Sequence, residues 1–259
     1  MALFPADRHR RILERLEADG VVRSRDLQRT LEVTPMTVWR DLQLLEERGQ
    51  LKRMRGGAMR VELEGEVAFT DKAVRARPEK ERIAAYVAAH LIGPGDILIL
   101  DGGSTVAALA EQVLPQRLTV LTHSLMVASA FQNHSARPAL YLSGGLLRPE
   151  SGTLVGREAM TFFGRRRAPK LFLSATGLDA EAGVTDPNPQ EIEVKQAMMQ
   201  SAEQVILLAD SSKFGVVSLM QTAPWRRIHK IVTNSRGKRN DHLGAIADTG
   251  VDAVAADGG

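Results

Sequence analysis

At 259 residues the chain is long for one domain and comfortable for a small domain followed by a larger one. With no cysteine and six singly scattered histidines it excludes a disulfide framework and argues against a metal site; with no long apolar run and no signal-peptide pattern, a soluble cytoplasmic protein is expected. Charge is uneven: residues 1–60 carry 13 Lys plus Arg against 9 Asp plus Glu, and the remainder 21 against 22, so the positive excess that phosphate binding needs sits at the N-terminal end, although a solvated basic face would show the same excess.

Ile12, Leu13 and Leu16 mark a first amphipathic helix over about 5–18, closed by Asp19-Gly20. Ser24 caps a short second helix carrying Leu27 and Leu31, and Glu32-Val33 makes a turn. Thr34 is then a good N-cap, with Pro35 at the first helical position, where its missing N–H costs nothing. Val38, Leu42 and Leu45 form one stripe to bury, and Gly49 ends the helix. Met36 and Arg40 fall opposite the stripe, with Thr37 and Trp39 on its flanks. The cationic run from Gln50 to Arg55, ended by Gly56-Gly57, has the composition of a basic two-stranded wing. Three short helices and such a wing describe a winged helix-turn-helix, which docks a helix on double-stranded DNA.

Residues 61–78, with Glu62, Glu64 and Glu66, have a linker's composition. From Glu79 a new alternation begins: a helix with Ile83, Val87 and Leu91, then apolar strands at 97–100, 118–121, 139–142, 171–174 and 205–209, with two more at 231–232 and 251–255. Apolar strands alternating with helices predict a parallel sheet covered on both faces, with ligands beyond the C-terminal strand ends. Those ends hold Asp101-Gly102-Gly103-Ser104-Thr105, His123, Gly144-Gly145 and Asp210 with Lys213. The first loop opens a helix, so its backbone N–H groups suit an anion, yet a plain strand–helix turn has the same composition. It matches neither a Walker A loop nor Gly-x-Gly-x-x-Gly, so no nucleotide cofactor is expected. Glu191 and Lys195, four apart on a helix, either pair with each other or both face the pocket. Asp101 either accepts from a ligand hydroxyl or caps its own turn, and Lys213 either pairs with a phosphate or lies on the surface.

The N-terminal run resembles the DNA-binding domain of the DeoR family of bacterial repressors. The carriers are Arg11-Ile12-Leu13, Asp26-Leu27, Thr37-Val38, Arg40-Asp41-Leu42, Leu45-Glu46, Gly49, Leu51, Arg53 and Gly56-Gly57-Ala58. Trp39 stands where that family usually has arginine, and Arg55 where it has histidine. Residues 79–233 are similar to the family's sensor domain, most specifically through Leu208-Ala209-Asp210-Ser211-Ser212-Lys213-Phe214-Gly215. The resemblance implies an α/β sensor with a fold similar to ribose-5-phosphate isomerase and a phosphorylated-sugar effector. His123 stands where asparagine is common.

Together these readings predict a winged helix-turn-helix at 1–60, a linker at 61–78 and a parallel-sheet sensor at 79–259. Arg25, Met36, Thr37, Trp39, Arg40, Arg53 and Arg55 are the expected DNA-binding residues, the wing arginines on phosphate or the minor groove. The expected effector site is Asp101, Gly103, Ser104, Thr105, His123, Gly144, Gly145, Glu191, Lys195, Asp210 and Lys213. The expected protein is a sugar-operon repressor, a homo-oligomer spanning paired half-sites on operator DNA, with no enzymatic activity. The alternative is a sugar-phosphate isomerase or hydrolase with an appended DNA-binding domain, using Glu191 or Asp101 as base.

Overall fold

Helices α1 (Pro5–Asp19), α2 (Ser24–Leu31) and α3 (Pro35–Glu47) bury the apolar stripes that their spacing dictates. Ile12, Leu16, Leu27, Leu31, Val38, Leu42 and Leu45 meet in one core with Leu51 and Ala58. The computed structural model describes residues 5–19, 21–31, 33–47, 51–54, 56–60, 73–113, 117–132, 138–234 and 241–256; Gly20, Glu32, Gly49, Arg55, Leu114 and most of the expected linker lie outside them. Thr34 caps α3 as its sequence predicts, its hydroxyl accepting the Thr37 N–H at 3.3 Å. Strands β1 (Val21–Arg23), β2 (Leu51–Met54) and β3 (Gly57–Arg60) form an antiparallel sheet in the order β1-β3-β2, so the wing has a third strand that the sequence did not announce. Its two glycines have separate causes. Gly56 has φ 89°, and a Cβ on Gly57 would lie 2.0 Å from the Val22 carbonyl oxygen. Asp41 ties α3 to α1: its carboxylate accepts from Arg8 Nε at 2.7 Å and Arg8 NH2 at 2.9 Å, with His9 Nε2 3.0 Å away.

By its contacts the chain divides into Met1–Gly65 and Glu66–Gly259. In the second unit Ala73 and Val74 are helical and α4 (Arg77–His90) follows, so Arg77 and Pro78, expected in the linker, start a helix; proline is tolerated there because no intrahelical N–H is due. Among the described residues, seven parallel strands follow: β4 (Ile97–Leu100), β5 (Thr119–Thr122), β6 (Ala139–Leu142), β9 (Ala168–Leu173), β12 (Ala202–Leu208), β14 (Lys230–Thr233) and β15 (Asp252–Ala255). Their order is β15-β14-β12-β9-β4-β5-β6. Alternate side chains feed opposite cores. Ile99, Leu171, Leu173 and Leu207 meet Phe163 and Met198 on one face, and Leu98, Leu100, Phe172 and Ile206 meet Ile83, Val87 and Leu109 on the other. Burial on both sides is why the inner strands carry apolar runs and not alternations, whereas the edge strand β6 is largely exposed.

Helices α5 (Ser104–Gln112), α6 (Leu125–Gln132), α7 (Arg157–Gly164), α8 (Pro189–Ser201) and α9 (Asp241–Ala247) occur between the strands. Short antiparallel pieces stand apart from the main sheet: β7 (Leu146–Arg148) with β8 (Thr153–Val155), and β10 (Gly177–Asp179) with β11 (Gly183–Asp186) and β13 (Met220–Ala223). None of these five was expected from the sequence. Moving outward from β4, later strands add to one edge through β5 and β6 and to the other from β9 onward, so the sheet order reverses between β4 and β9. Such a reversal opens a crevice at the C-terminal strand ends.

Candidate functional site

In the first unit, α3 presents Met36, Trp39 and Arg40 to solvent, while Thr37 is half-buried with its hydroxyl 2.9 Å from that of Thr34. Arg25 is exposed at the start of α2. Arg53, expected on phosphate or the minor groove from its position in the wing, has partners within the unit. Its Nε donates to Glu46 Oε2 at 2.6 Å, its backbone N–H donates to Glu46 Oε1 at 2.8 Å, and its guanidinium carbon lies 5.5 Å from the Trp39 ring centroid. Arg55 lies outside the described residues.

In the second unit a cavity sits at the β4–β9 reversal. Eight of the expected effector residues line it: Asp101, Gly103, Ser104, Thr105, His123, Glu191, Lys195 and Lys213. Three do not. Gly144 and Gly145 turn the chain into β7, with φ 73° and 117°, and a Cβ on Gly145 would meet the Val155 carbonyl at 2.4 Å. Asp210 is buried and caps the turn Ser211–Lys213, accepting the Ser212 N–H at 2.9 Å. Their sequence signal therefore has a backbone cause.

At the centre is a buried charge cluster. Asp101, at the end of β4, uses both carboxylate oxygens: Oδ1 lies 3.2 Å from His123 Nε2, and Oδ2 accepts the Ser174 N–H at 2.9 Å and hydroxyl at 2.5 Å, with Lys195 Nζ at 3.5 Å. Both of its oxygens thus have partners within the protein. Burial acts to raise its carboxyl, but Lys195, His123 and Ser174 outweigh burial and hold it well below the usual carboxylate range. Lys195 donates to Asp186 Oδ2 and to the Ser174 carbonyl, each at 2.9 Å. Burial acts to lower its ammonium; Asp101, Asp186 and Glu191 prevail and raise it above the ordinary lysine value. Neither reading of Glu191 and Lys195 holds alone: both reach the cavity, yet Lys195 bonds Asp186, while Glu191 accepts Thr153 Oγ1 at 2.6 Å and pairs with Arg148 at 2.9 Å.

Gly102, Ser151, Thr153, Ser174, Thr176 and Asp186 also line the cavity and were missed as site residues. Asp186 accepts from Thr176 Oγ1 at 3.0 Å and Thr222 Oγ1 at 2.7 Å, which fixes the lysine's partner. The close approach of β4's loop to its neighbours explains its glycines, since a Cβ on Gly103 would fall 2.1 Å from Ser174 Oγ. The wall thus combines the start of α5, several hydroxyls, Lys213 and a carboxylate, a set suited to an anion bearing hydroxyl groups. Among the described residues no group of three or more His, Asp or Glu is placed to hold a metal ion, and no helix is long and apolar enough to cross a membrane.

Residues 8–63 match the DeoR-like helix-turn-helix domain and residues 75–235 the DeoR C terminal sensor domain. The chain is 34% identical over 257 residues to the HTH-type transcriptional regulator GlpR of Haloferax volcanii, covering 98% of this chain and 100% of that protein. It is 32% identical over 236 residues to the HTH-type transcriptional regulator GolR of Listeria innocua, covering 90% and 92%. The Glycerol-3-phosphate regulon repressor of Haemophilus influenzae is 30% identical over 208 residues, 80% of each chain. Among solved structures, ribose 5-phosphate isomerase A of Methanocaldococcus jannaschii aligns with 52% of each chain at 14% identity and a TM-score of 0.38.

Proposed function

The chain belongs to the DeoR family of DNA-binding transcriptional regulators, and on that premise we propose that it is a repressor released or engaged by a phosphorylated sugar. The observation that carries the effector reading is the cavity at the sheet reversal, where the start of α5 and Lys213 face the hydroxyls of Ser151, Thr153 and Thr176. In this reading the phosphate sits on the N–H groups and hydroxyls of Ser104 and Thr105 with Lys213 as counter-charge, and Glu191 receives a sugar hydroxyl. Asp101 and Lys195 hold the wall in shape. The name of the Haemophilus relative supports a phosphorylated polyol or sugar as ligand class.

The repressor works in the cytoplasm as a homo-oligomer whose paired winged helices meet two operator half-sites. The effector acts by binding the DNA-competent and DNA-free states with different affinity. Thermal stabilisation across a panel of sugar phosphates, matched free sugars and inorganic phosphate tests the ligand. At a hundredfold excess over Kd the right compound stabilises by about 2.7 kcal/mol, and the free sugar does not. Lys213→Ala removes the response to phosphorylated ligands. An unchanged response removes Lys213 from the site, and turnover of any sugar phosphate overturns the sensor reading in favour of an isomerase or hydrolase.

A further inference from the structure

Met36 and Trp39 are 57% and 51% exposed, which sets them apart on a helix whose other large apolar side chains are mostly buried. They stand three residues apart, and Arg40 follows Met36 by one turn, so the three share one solvent face of α3. An exposed apolar patch marks a binding surface, and this one lies on the helix offered to DNA. Methionine has no hydrogen-bond donor for a phosphate, and tryptophan has one. The major-groove feature that matches such side chains is the 5-methyl group of thymine; the other groove-edge features are polar donors and acceptors.

Trp39 is also held in place. Its ring lies against the Arg53 guanidinium, 5.5 Å from centroid to carbon, and Arg53 is fixed to Glu46 by two hydrogen bonds, 2.6 Å from Nε and 2.8 Å from the backbone N–H. Glu46 stands seven residues after Trp39, two turns along the same side of α3. The wing strand therefore bridges two points on one helix face and covers one side of the indole. We propose that Met36 and Trp39 read thymine methyl groups in the operator half-site, and that Glu46 and Arg53 are positioning residues for Trp39. This rests on the reading of α3 as the DNA-facing helix and adds what that helix recognises.

The test uses the full chain. A preferred duplex is selected from a random library, and Kd is measured by fluorescence anisotropy for it and for duplexes with single thymines replaced by deoxyuridine, which removes only the methyl. One or two positions per half-site should each lose about fourfold, the equivalent of ~0.8 kcal/mol for one buried methyl. Trp39→Ala and Met36→Ala should each erase the penalty at one position, and Trp39→Phe should retain it. Arg53→Met should cut the Trp39-dependent penalty below twofold with no change in the slope of log Kd against log salt. A slope reduced by about one would put Arg53 on a phosphate and overturn its positioning role. Deoxyuridine tolerated at every position, or a penalty surviving both alanine variants, would overturn the methyl readout while leaving DNA binding intact. Failure to select any duplex would overturn the DNA-facing reading itself. A change of oligomeric state in Trp39→Ala without methyl dependence would assign the patch to a second copy of the chain.

Discussion

Lys195 is the residue on which the cavity turns, because it neutralises two buried carboxylates from different places in the chain, Asp101 just after β4 and Asp186 in β11. Lys195→Met keeps the stem and deletes the charge, taking the ammonium from both buried carboxylates and leaving Asp101 with His123 and Ser174 alone. Removing one partner of a buried pair costs about 3–5 kcal/mol, which a urea titration of the full chain will show as a lowered midpoint for the second unit. The pH dependence follows by sign. Asp101 has a folded-state value below its unfolded value, so its stabilisation is present above roughly pH 4 and is lost as pH falls from there. Lys195 is raised, so its contribution is present below roughly pH 10 and is lost as pH climbs through the folded value. In the methionine variant only His123 and Ser174 still oppose burial, so protonating Asp101 costs less than in wild type, and the deficit should shrink between pH 6 and 4. A constant deficit across that range would deny the lysine its electrostatic role.

At the scale of elements, the N-cap of α3 gives the simplest prediction. Thr34→Ala removes the oxygen that accepts the Thr37 N–H, and with it the hydroxyl contact that orients Thr37. The expected cost is about 1 kcal/mol in the thermal stability of the DNA-binding unit, with weaker operator affinity; Thr34→Ser should restore most of both. This cap was legible because Thr-Pro before an apolar 3.6-residue period has few other meanings. The parallel strands were legible for a related reason: a strand buried on both faces, as β4 is over Leu98, Ile99 and Leu100, is an unbroken apolar run. Strands β7, β8, β10, β11 and β13 were not, since these three- or four-residue pieces show neither alternation nor a bounded apolar run. The cavity residues that these pieces deliver, Thr153 and Asp186 above all, were missed with them. Gly144-Gly145, whose composition suggested ligand approach, also answer to a backbone requirement, and the tertiary partner of Arg53, Glu46, is invisible to local reading.

For the molecule as a whole, each unit has its own hydrophobic core, Ile12 to Ala58 in one and the two faces of the seven-stranded sheet in the other. A chain beginning at Glu66 should therefore melt cooperatively and keep the full stabilisation by its sugar phosphate, while losing operator binding entirely. In the intact protein, calorimetry should find that operator DNA changes effector affinity by the same factor by which effector changes operator affinity. An effector affinity indifferent to DNA would separate the two activities. The reversal of strand order between β4 and β9 also imposes a sequence of events in time. Asp101 leaves the ribosome well before its partners: Ser174 is 73 residues behind it, an interval of roughly 4–15 s at typical elongation rates. During that interval β5 and then β6 are synthesised, while β9, which borders the other edge of β4, comes only at its end, so the Asp101 carboxylate waits that long for its Ser174 donors. The candidate cavity therefore lies along the seam where the earlier-made and later-made parts of the sheet meet.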